Sequence, residues 1–327
     1  MTEQPQRQQP AEEAFVWPSS EQPHPQNFAI AAKIYTGLLP TASDATIETT
    51  HFPAGWSTND VFQVSIHSPT QSHRSIVKLP RHQTLPDATA TCEPEALRAQ
   101  WAAENGFGPK VLAIDQESGG FAMEFLQGQT LTTEMSKQRL PQVVDLLQRI
   151  HGTKPASCMR RYDPIAVVKE HVKRIKSSGT MRRRDRRLVE RIVSDTAYRL
   201  KWGHPWLPCH NDFHSHNIML RRAGEDDNTD CLFAIDFEDC DLGDPMWDLA
   251  YLTVNLELES NSSLLTRLYR TSAEEERRVL DYIPLAMAHC ATWAALHGES
   301  YSWAQHQREV MARLWKLVAC PRASVRI

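Results

Sequence analysis

Long apolar runs are missing from this 327-residue chain, and no stretch reaches the roughly 18 residues that a membrane span needs. The first residues, TEQPQRQQPAEEA, hold no apolar core of the kind a secretory leader carries. Cysteine is sparse and unpatterned: seven residues, at 92, 158, 209, 231, 240, 290 and 320, an odd number and never spaced CxxC. That speaks against a disulfide framework or a zinc ribbon and suits a reducing cytosol. A large excess of charge is missing too. The net charge is −4, so nucleic acid is not the expected main partner. What is present, 41% hydrophobic and 23% charged residues, fits a soluble, cytoplasmic, globular protein without a membrane partner. The length favours two lobes over one small core. Nothing in the composition speaks to oligomeric state.

Residues 1–27 are rich in Gln, Pro and Glu and are expected to form a disordered tail, because such a segment buries too little surface to offset its ordering entropy. From Thr49 to Pro80 the pattern has period two. Phe62, Val64 and Ile66 face one way and Gln63 and Ser65 the other, as in a half-buried strand. The small-polar turn before it, Pro53 to Asp60, includes Ser57, Thr58 and Asn59. It is either an ordinary hairpin turn or a loop that closes over phosphates, with one glycine to support the second reading. Ser75 to Pro80 is a second strand with one lysine, Lys78, inside it. A helix beginning at Pro94 and stopping at Gly106 offers Glu95, or alternatively Glu93, as its partner. Leu97 and Trp101 are read as its apolar face. Val111–Ile114 and Phe121–Leu126 read as strands joined by a turn. The backbone of Glu124 to Leu126, running into Gly128, suits a hinge that meets an adenine edge. Beyond it the chain turns helical, first with Val143, Leu146, Leu147 and Ile150 in one stripe.

Residues 160–191 carry twelve Lys/Arg against four acids. A polyanion- or membrane-binding helix is one reading. A solvated helical face is the other, and it is preferred because Ser177-Ser178-Gly179 interrupts the run and, beyond Tyr162, no aromatics interleave it. Further helices are expected over Leu264–Tyr269, Arg277–Tyr282, Leu285–Leu296 and Trp303–Val318, with Trp293 a core residue or, as an aromatic face, part of a pocket for an organic cation.

The chemistry concentrates in PCHNDFHSHNIML and LFAIDFEDCDLGDPMWDLA. His210, His214 and His216 could be read as a metal cluster, but their spacing does not converge without a special turn. The other reading is H-x-D-x-x-x-x-N. Asp212 then meets an acceptor hydroxyl, the Asn217 amide oxygen reaches a metal on the phosphates, and His210 holds the loop in shape. A second acidic strand end follows at Asp236 and Glu238. The carboxylates Glu238, Asp239, Asp241, Glu257 and Glu259 suit a cationic acceptor, although Glu257 and Glu259 fit a solvated helix end better.

HNDFHSHN followed by AIDFEDCDLGDPMWDLA, together with IVKLP around Lys78, FGPKVLAID and MEFLQGQTL, resembles the aminoglycoside phosphotransferase/choline kinase family over roughly residues 50–320. The resemblance implies an α+β, protein-kinase-like bilobal fold: a small antiparallel β lobe with one helix over 28–126, and a larger, mainly helical lobe over 127–327. It implies ATP and Mg²⁺ as cofactors and transfer of the γ-phosphate to a small-molecule hydroxyl. It also implies Asp212 as catalytic base, Asn217 and Asp236 as metal ligands, and Lys78 on the phosphates, positioned by Glu95. Glu238 would lie near metal and acceptor, with Asp241 and Trp293 as further substrate candidates, and Asp244 and Asp248 would brace loops. Asn211 gives CHND, closer to choline and ethanolamine kinases than to many aminoglycoside kinases, which have glycine there. A choline- or ethanolamine-like acceptor is expected first, and an aminoglycoside, thiamine or amino sugar second. A silent pseudokinase acting as a binding module is the different-class alternative, opposed by the presence of Lys78, Asp212, Asn217 and Asp236. A histidine-based metallohydrolase is a further one.

Overall fold

The small lobe follows from its alternating strands. The computed structural model describes residues 25–37, 45–52, 59–68, 72–80, 93–200, 205–221, 231–297 and 301–319. The chain opens with α1 (Pro25–Thr36), then β1 (Thr46–Phe52), β2 (Asn59–His67), β3 (Ser72–Pro80), α2 (Glu93–Glu104), β4 (Val111–Asp115) and β5 (Gly120–Glu124). The five strands form one antiparallel sheet in the order β1-β2-β3-β5-β4. Phe62, Val64 and Ile66 are buried on one face of β2, as their alternation predicts. The expected tail ending at residue 27 runs into α1, which makes a second helix in this lobe. Ala31, Ile34 and Tyr35 of α1 pack on Val77, Leu79 and Phe62, and the Asn27 amide donates to Asp60 at 2.9 Å. Residues 1–24 lie outside the described residues.

In α2 the sequence reading of the apolar face holds for Trp101, which is buried, and is corrected for Leu97. Leu97 is 39% exposed, whereas Glu95, Arg98, Ala99 and Ala102 are buried. Those four positions share one helical stripe, so the inward face of α2 contains two charged groups that hydrophobic periodicity does not count. Gly106, just beyond the helix, has φ 75, the left-handed conformation that suits a helix stop.

The large lobe contains β6 (Gly128–Thr130), α3 (Thr133–Gln138), α4 (Leu140–Gly152), α5 (Pro164–Ser178), α6 (Arg183–Arg199), β7 (Leu207–Cys209), β8 (Ile218–Arg221), β9 (Cys231–Ala234), β10 (Asp241–Gly243), α7 (Pro245–Asn255), α8 (Ser263–Tyr269), α9 (Ala273–His297) and α10 (Tyr301–Ala319). β6, β8 and β9 form a small antiparallel sheet, and β7 pairs with β10. Gly128 opens β6 opposite Arg221; a Cβ there would run into the Leu220 carbonyl, so only glycine allows the strands to approach. The predicted stripe of α4 is buried at Val143, Leu146, Leu147 and Ile150, each such side chain contributing about 1.5–3 kcal/mol.

The two helices expected around Pro284 are one, α9, with the proline inside it. Proline removes one backbone hydrogen bond and strains the turn before it, but α9 packs against α5, α6, α7 and α10, and that burial outweighs the local loss. Among the described residues α9 alone is long and apolar enough to cross a membrane; it forms the centre of this lobe.

Candidate active site

Lys78 lies on β3 with its side chain almost wholly buried. Its ammonium donates to Glu95 Oε1 at 2.5 Å and to Asp236 Oδ1 at 2.9 Å. Burial opposes its charge, but the carboxylates of Asp236 and Glu95 outweigh it and raise the pKa. Of the two partners open from the sequence, the structure selects Glu95. Burial pushes the Glu95 carboxyl up, against the pull of Lys78. Asn59 donates to the other Glu95 oxygen at 3.0 Å. This corrects its reading as part of a phosphate-covering turn: Asn59 begins β2 and braces Glu95. Ser57 and Thr58 lie outside the described residues.

The loop after β7 is shaped from below. Asn211 has φ 63, a left-handed backbone that asparagine and glycine tolerate and most residues do not. This is a physical reason for either residue before Asp212. The backbone N–H groups of His210 and Asn211 both donate to Asp248, at 2.9 and 2.7 Å, and Trp247 Nε1 donates to the Asn211 carbonyl at 3.0 Å. His210 is fully buried and its Nε2 meets the Ile235 carbonyl at 3.0 Å, tying the loop to the end of β9. The chain then presents Asp212. The Asn217 amide donates to both its backbone oxygen and Oδ2, each at 2.9 Å. His214 Nε2 is 3.5 Å from Oδ2, and the Tyr251 hydroxyl is hydrogen-bonded to the same carboxylate. Burial alone would raise Asp212; His214, His210 and Tyr251 reverse that and hold its pKa at about 2.

The register of β8 against β9 pairs Ile218 with Ala234, and Ile235 N–H donates to the Asn217 carbonyl. Asn217 therefore sits across from the residue that precedes Asp236. Asp236 adopts φ 65. Immediately beyond, Arg98 of α2 donates to the Glu238 carbonyl at 2.7 Å and to Asp241 Oδ2 at 2.6 Å. Asp241 also accepts from Arg160 N–H at 2.6 Å. Asp241, expected at the substrate, is thus a brace between α2, β10 and the chain before α5. Asp239 is exposed by area, and desolvation together with the charges of Asp212, Glu238 and Asp236 pushes its carboxyl up.

Deeper still, Asp248 also meets His151 Nε2 at 2.9 Å, and His151 Nδ1 meets the Tyr269 hydroxyl at 2.7 Å. Asp244 caps α7 through Met246 N–H and holds Arg278 by two contacts, at 2.9 and 3.0 Å. Gly243 is required here as well, since a Cβ would stand 2.7 Å from Asn211 Oδ1. His151, Cys209 and Asp248 are close enough to suggest a metal group, but the Asp248 oxygens are already engaged by two N–H groups and the imidazole. The three histidines of the loop do not converge: His210 is bonded inside, His214 faces Asp212, and His216 is exposed.

Trp293 is half-buried on α9, stacked on His297 with ring centroids 4.0 Å apart. The aromatic groups that Asp212 feels are Tyr251 and Tyr162, both buried, with pKa values raised by burial and by the carboxylate. The sequence reading missed both tyrosines and Arg98. Tyr251 was accessible to it, lying one helical turn beyond Trp247 in α7. Arg98 was hidden by the assumption that the inner face of α2 is apolar. At the hinge, Glu124 gives its N–H to the Lys110 carbonyl and its carboxylate accepts from Lys110 N–H, each at 2.8 Å. Leu126 is buried.

Asn217 and Asp236 are oxygen donors that suit a hard divalent cation. With the Asn217 amide nitrogen turned to Asp212, its oxygen is directed elsewhere.

A family profile described as "Phosphotransferase enzyme family" matches residues 48–283. No curated protein sequence matches the chain significantly. Among solved structures, the chain is similar to a choline/ethanolamine kinase family protein from Mesorhizobium loti, at 20% identity and a TM-score of 0.67, covering 90% of this chain and 96% of that one. It is similar to a choline kinase from Streptococcus pneumoniae, at 20% identity, TM-score 0.64, covering 90% and 99%. A spectinomycin phosphotransferase in complex with ADP and spectinomycin matches at 14% identity, TM-score 0.53, covering 82% and 92%. These likenesses are ones of fold, and the fold is the protein-kinase-like, two-lobed α+β fold.

Proposed function

Because this chain belongs to the phosphotransferase enzyme family, we propose that it transfers the γ-phosphate of ATP to the hydroxyl of a small cationic metabolite, choline or ethanolamine first. The observation that carries this reading is the pairing of two charge systems. Lys78 is held extended between Glu95 and Asp236, and Asp212 is presented by Asn217, His214 and Tyr251.

In the reaction, the acceptor oxygen forms a bond to the γ-phosphorus while the bond from that phosphorus to the bridging oxygen of ADP breaks. The hydroxyl proton passes to Asp212. A carboxylate with a pKa of about 2 is a weak base, so it orients the hydroxyl and takes the proton late, as a loose phosphoryl-transfer transition state allows. Lys78 neutralises phosphate charge, and Glu95, braced by Asn59, keeps its ammonium in line. The Glu124 carbonyl and the Leu126 N–H suit an adenine edge. Asn217 and Asp236 would hold Mg²⁺, which when bound offsets charge on the transferring phosphate.

Cationic character in the acceptor is favoured by the carboxylate crowd itself. The Asp239 carboxyl is pushed up first by desolvation and then by the charges of Asp212, Glu238 and Asp236, and a positively charged ligand relieves that repulsion. Tyr162 and Tyr251 add aromatic faces that attract organic cations. An ATP-consumption screen over choline, ethanolamine, thiamine, aminoglycosides and sugars tests the reading; turnover confined to an uncharged sugar would sink the cationic acceptor. Asp212→Ala is expected to keep ATP binding and lower turnover by roughly 10² to 10⁴, and unchanged turnover would remove the base assignment.

A further inference from the structure

One surface of the helical lobe is built against ordinary helix rules. α6 begins without a side-chain cap, behind Arg182. Arg183 and Arg184 share its first turn with one acid, Asp185, 3.9 Å from Arg184, where the helix dipole favours acids. Arg183, Arg187 and Arg191 follow at four-residue intervals, an arrangement of like charges that weakens a helix standing alone. Nearby acids do not relieve the row. Glu190 is engaged by Lys176 at 2.9 Å and Arg186 at 3.7 Å, and Asp185 accepts from Trp315 Nε1 at 2.8 Å. Among the described residues, Arg183, Arg187 and Arg191 have no ion-pair partner.

These arginines line a concavity. With Arg184, Leu188 and Trp315 they line an open depression of about 450 Å³ between α6 and α10, sharing no residue with the catalytic cleft. The Arg184 guanidinium lies 4.8 Å over the Trp315 ring, and the hydrogen bond to Asp185 fixes that ring, so the wall is a set one. Leu188, 3% exposed, forms an apolar part of the lining. The arginine-rich stretch 182–191 has no aromatic residue of its own, and α10 supplies one in Trp315.

A solvated face gains from interleaved acids; this one gains from an anion brought from outside. Guanidinium forks match phosphate oxygens two at a time, and the volume lies in the range of small-molecule sites. We propose that the α6/α10 depression is a second, anion-binding site for a molecule with more than one phosphate charge, either a free phosphorylated metabolite or the phosphate headgroup of an anionic lipid.

The test is calorimetric titration of the full chain with inorganic tripolyphosphate. Asp236→Ala is used alongside it, to remove metal-dependent binding in the cleft. Binding that persists in Asp236→Ala and weakens roughly tenfold or more when Arg187→Gln and Arg191→Gln are added supports the site; identical isotherms overturn it. The arginine pair alone is expected to leave turnover unchanged and the melting temperature equal or slightly higher, since both side chains are exposed and like charge is removed. In a second arm, phosphatidylcholine vesicles with about 10 mol% phosphatidylinositol phosphate are floated with wild type and the arginine variant. Arginine-dependent flotation assigns the phosphate to a lipid, and arginine-dependent tripolyphosphate binding without flotation assigns it to a soluble molecule. Dependence in neither arm ends the proposal.

Discussion

Asp212 and Asp248 show two opposite uses of a carboxylate within one motif. Asp212 is held at about 2 by its partners, so the rate of an active enzyme shows no acid limb from this group between about pH 5 and pH 8. His214→Ala removes a main stabilising partner and moves that limb upward, seen in a plot of log kcat against pH at saturating ATP. The stability sign follows from linkage. A carboxyl whose folded pKa lies below its unfolded value, about 3.9, stabilises the fold above that value and loses the contribution as pH falls through about 2. Asp248 has no exposure and serves the loop. Asp248→Ala leaves two backbone N–H groups and the His151 imidazole without it, a loss on the order of 3–5 kcal/mol that urea unfolding measures. Unaltered stability would refute the brace. At this scale the gathering of four side chains was legible: Lys78 bonds Asp236 and Asn217 bonds Asp212, as the proposed phosphoryl transfer would require. Asp241 misled because a lone carboxylate does not reveal an arginine from a distant helix.

Helix α2 works as a two-point clamp on the segment from Asp236 to Asp241, through Glu95 and Lys78 at one end and Arg98 at the other. Arg98→Gln is expected to lower activity roughly 10- to 100-fold, the usual effect of losing an outer group that positions a metal-binding segment, here the one that runs from the proposed ligand Asp236 to Asp241. Arg98→Lys recovers part of it, and steady-state kinetics with varied Mg²⁺ place the loss in metal or nucleotide binding. Between α5 and α9, His171 and His289 lie 5.3 Å apart; burial lowers them to about 3 and about 4. Their unfolded forms take up protons near pH 6.5 while the folded ones do not, so stability falls as pH drops from about 6.5 towards 4. Replacing both with apolar residues flattens the melting temperature over that window. Elements were readable where one physical pattern dominated, as in β2 and α4. They were misread where tertiary contacts overrode the pattern: α2 hides charge on its inner face, and α9 absorbs Pro284 because its neighbours hold it.

For the whole molecule, the two lobes were legible from length and from the change of period two to helical spacing near Gly128. The α1 packing was not, because its polar start resembles the segment before it. Gly128→Val is expected to separate β6 from β8, lowering the melting temperature and weakening nucleotide binding together, as thermal shift with and without ATP shows. The central position of α9 has a consequence for biosynthesis. Helices α5, α6 and α7 are synthesised long before α9, yet each of them buries surface against it. A nascent chain paused before Ala273 therefore holds the outer wall of a lobe without its axle, with apolar faces turned to water. The small lobe completes its sheet by Glu124 while Lys78 and Arg98 of α2 still wait for their partners between Asp236 and Asp241, and the helical half is expected to need protection from aggregation until α9 emerges.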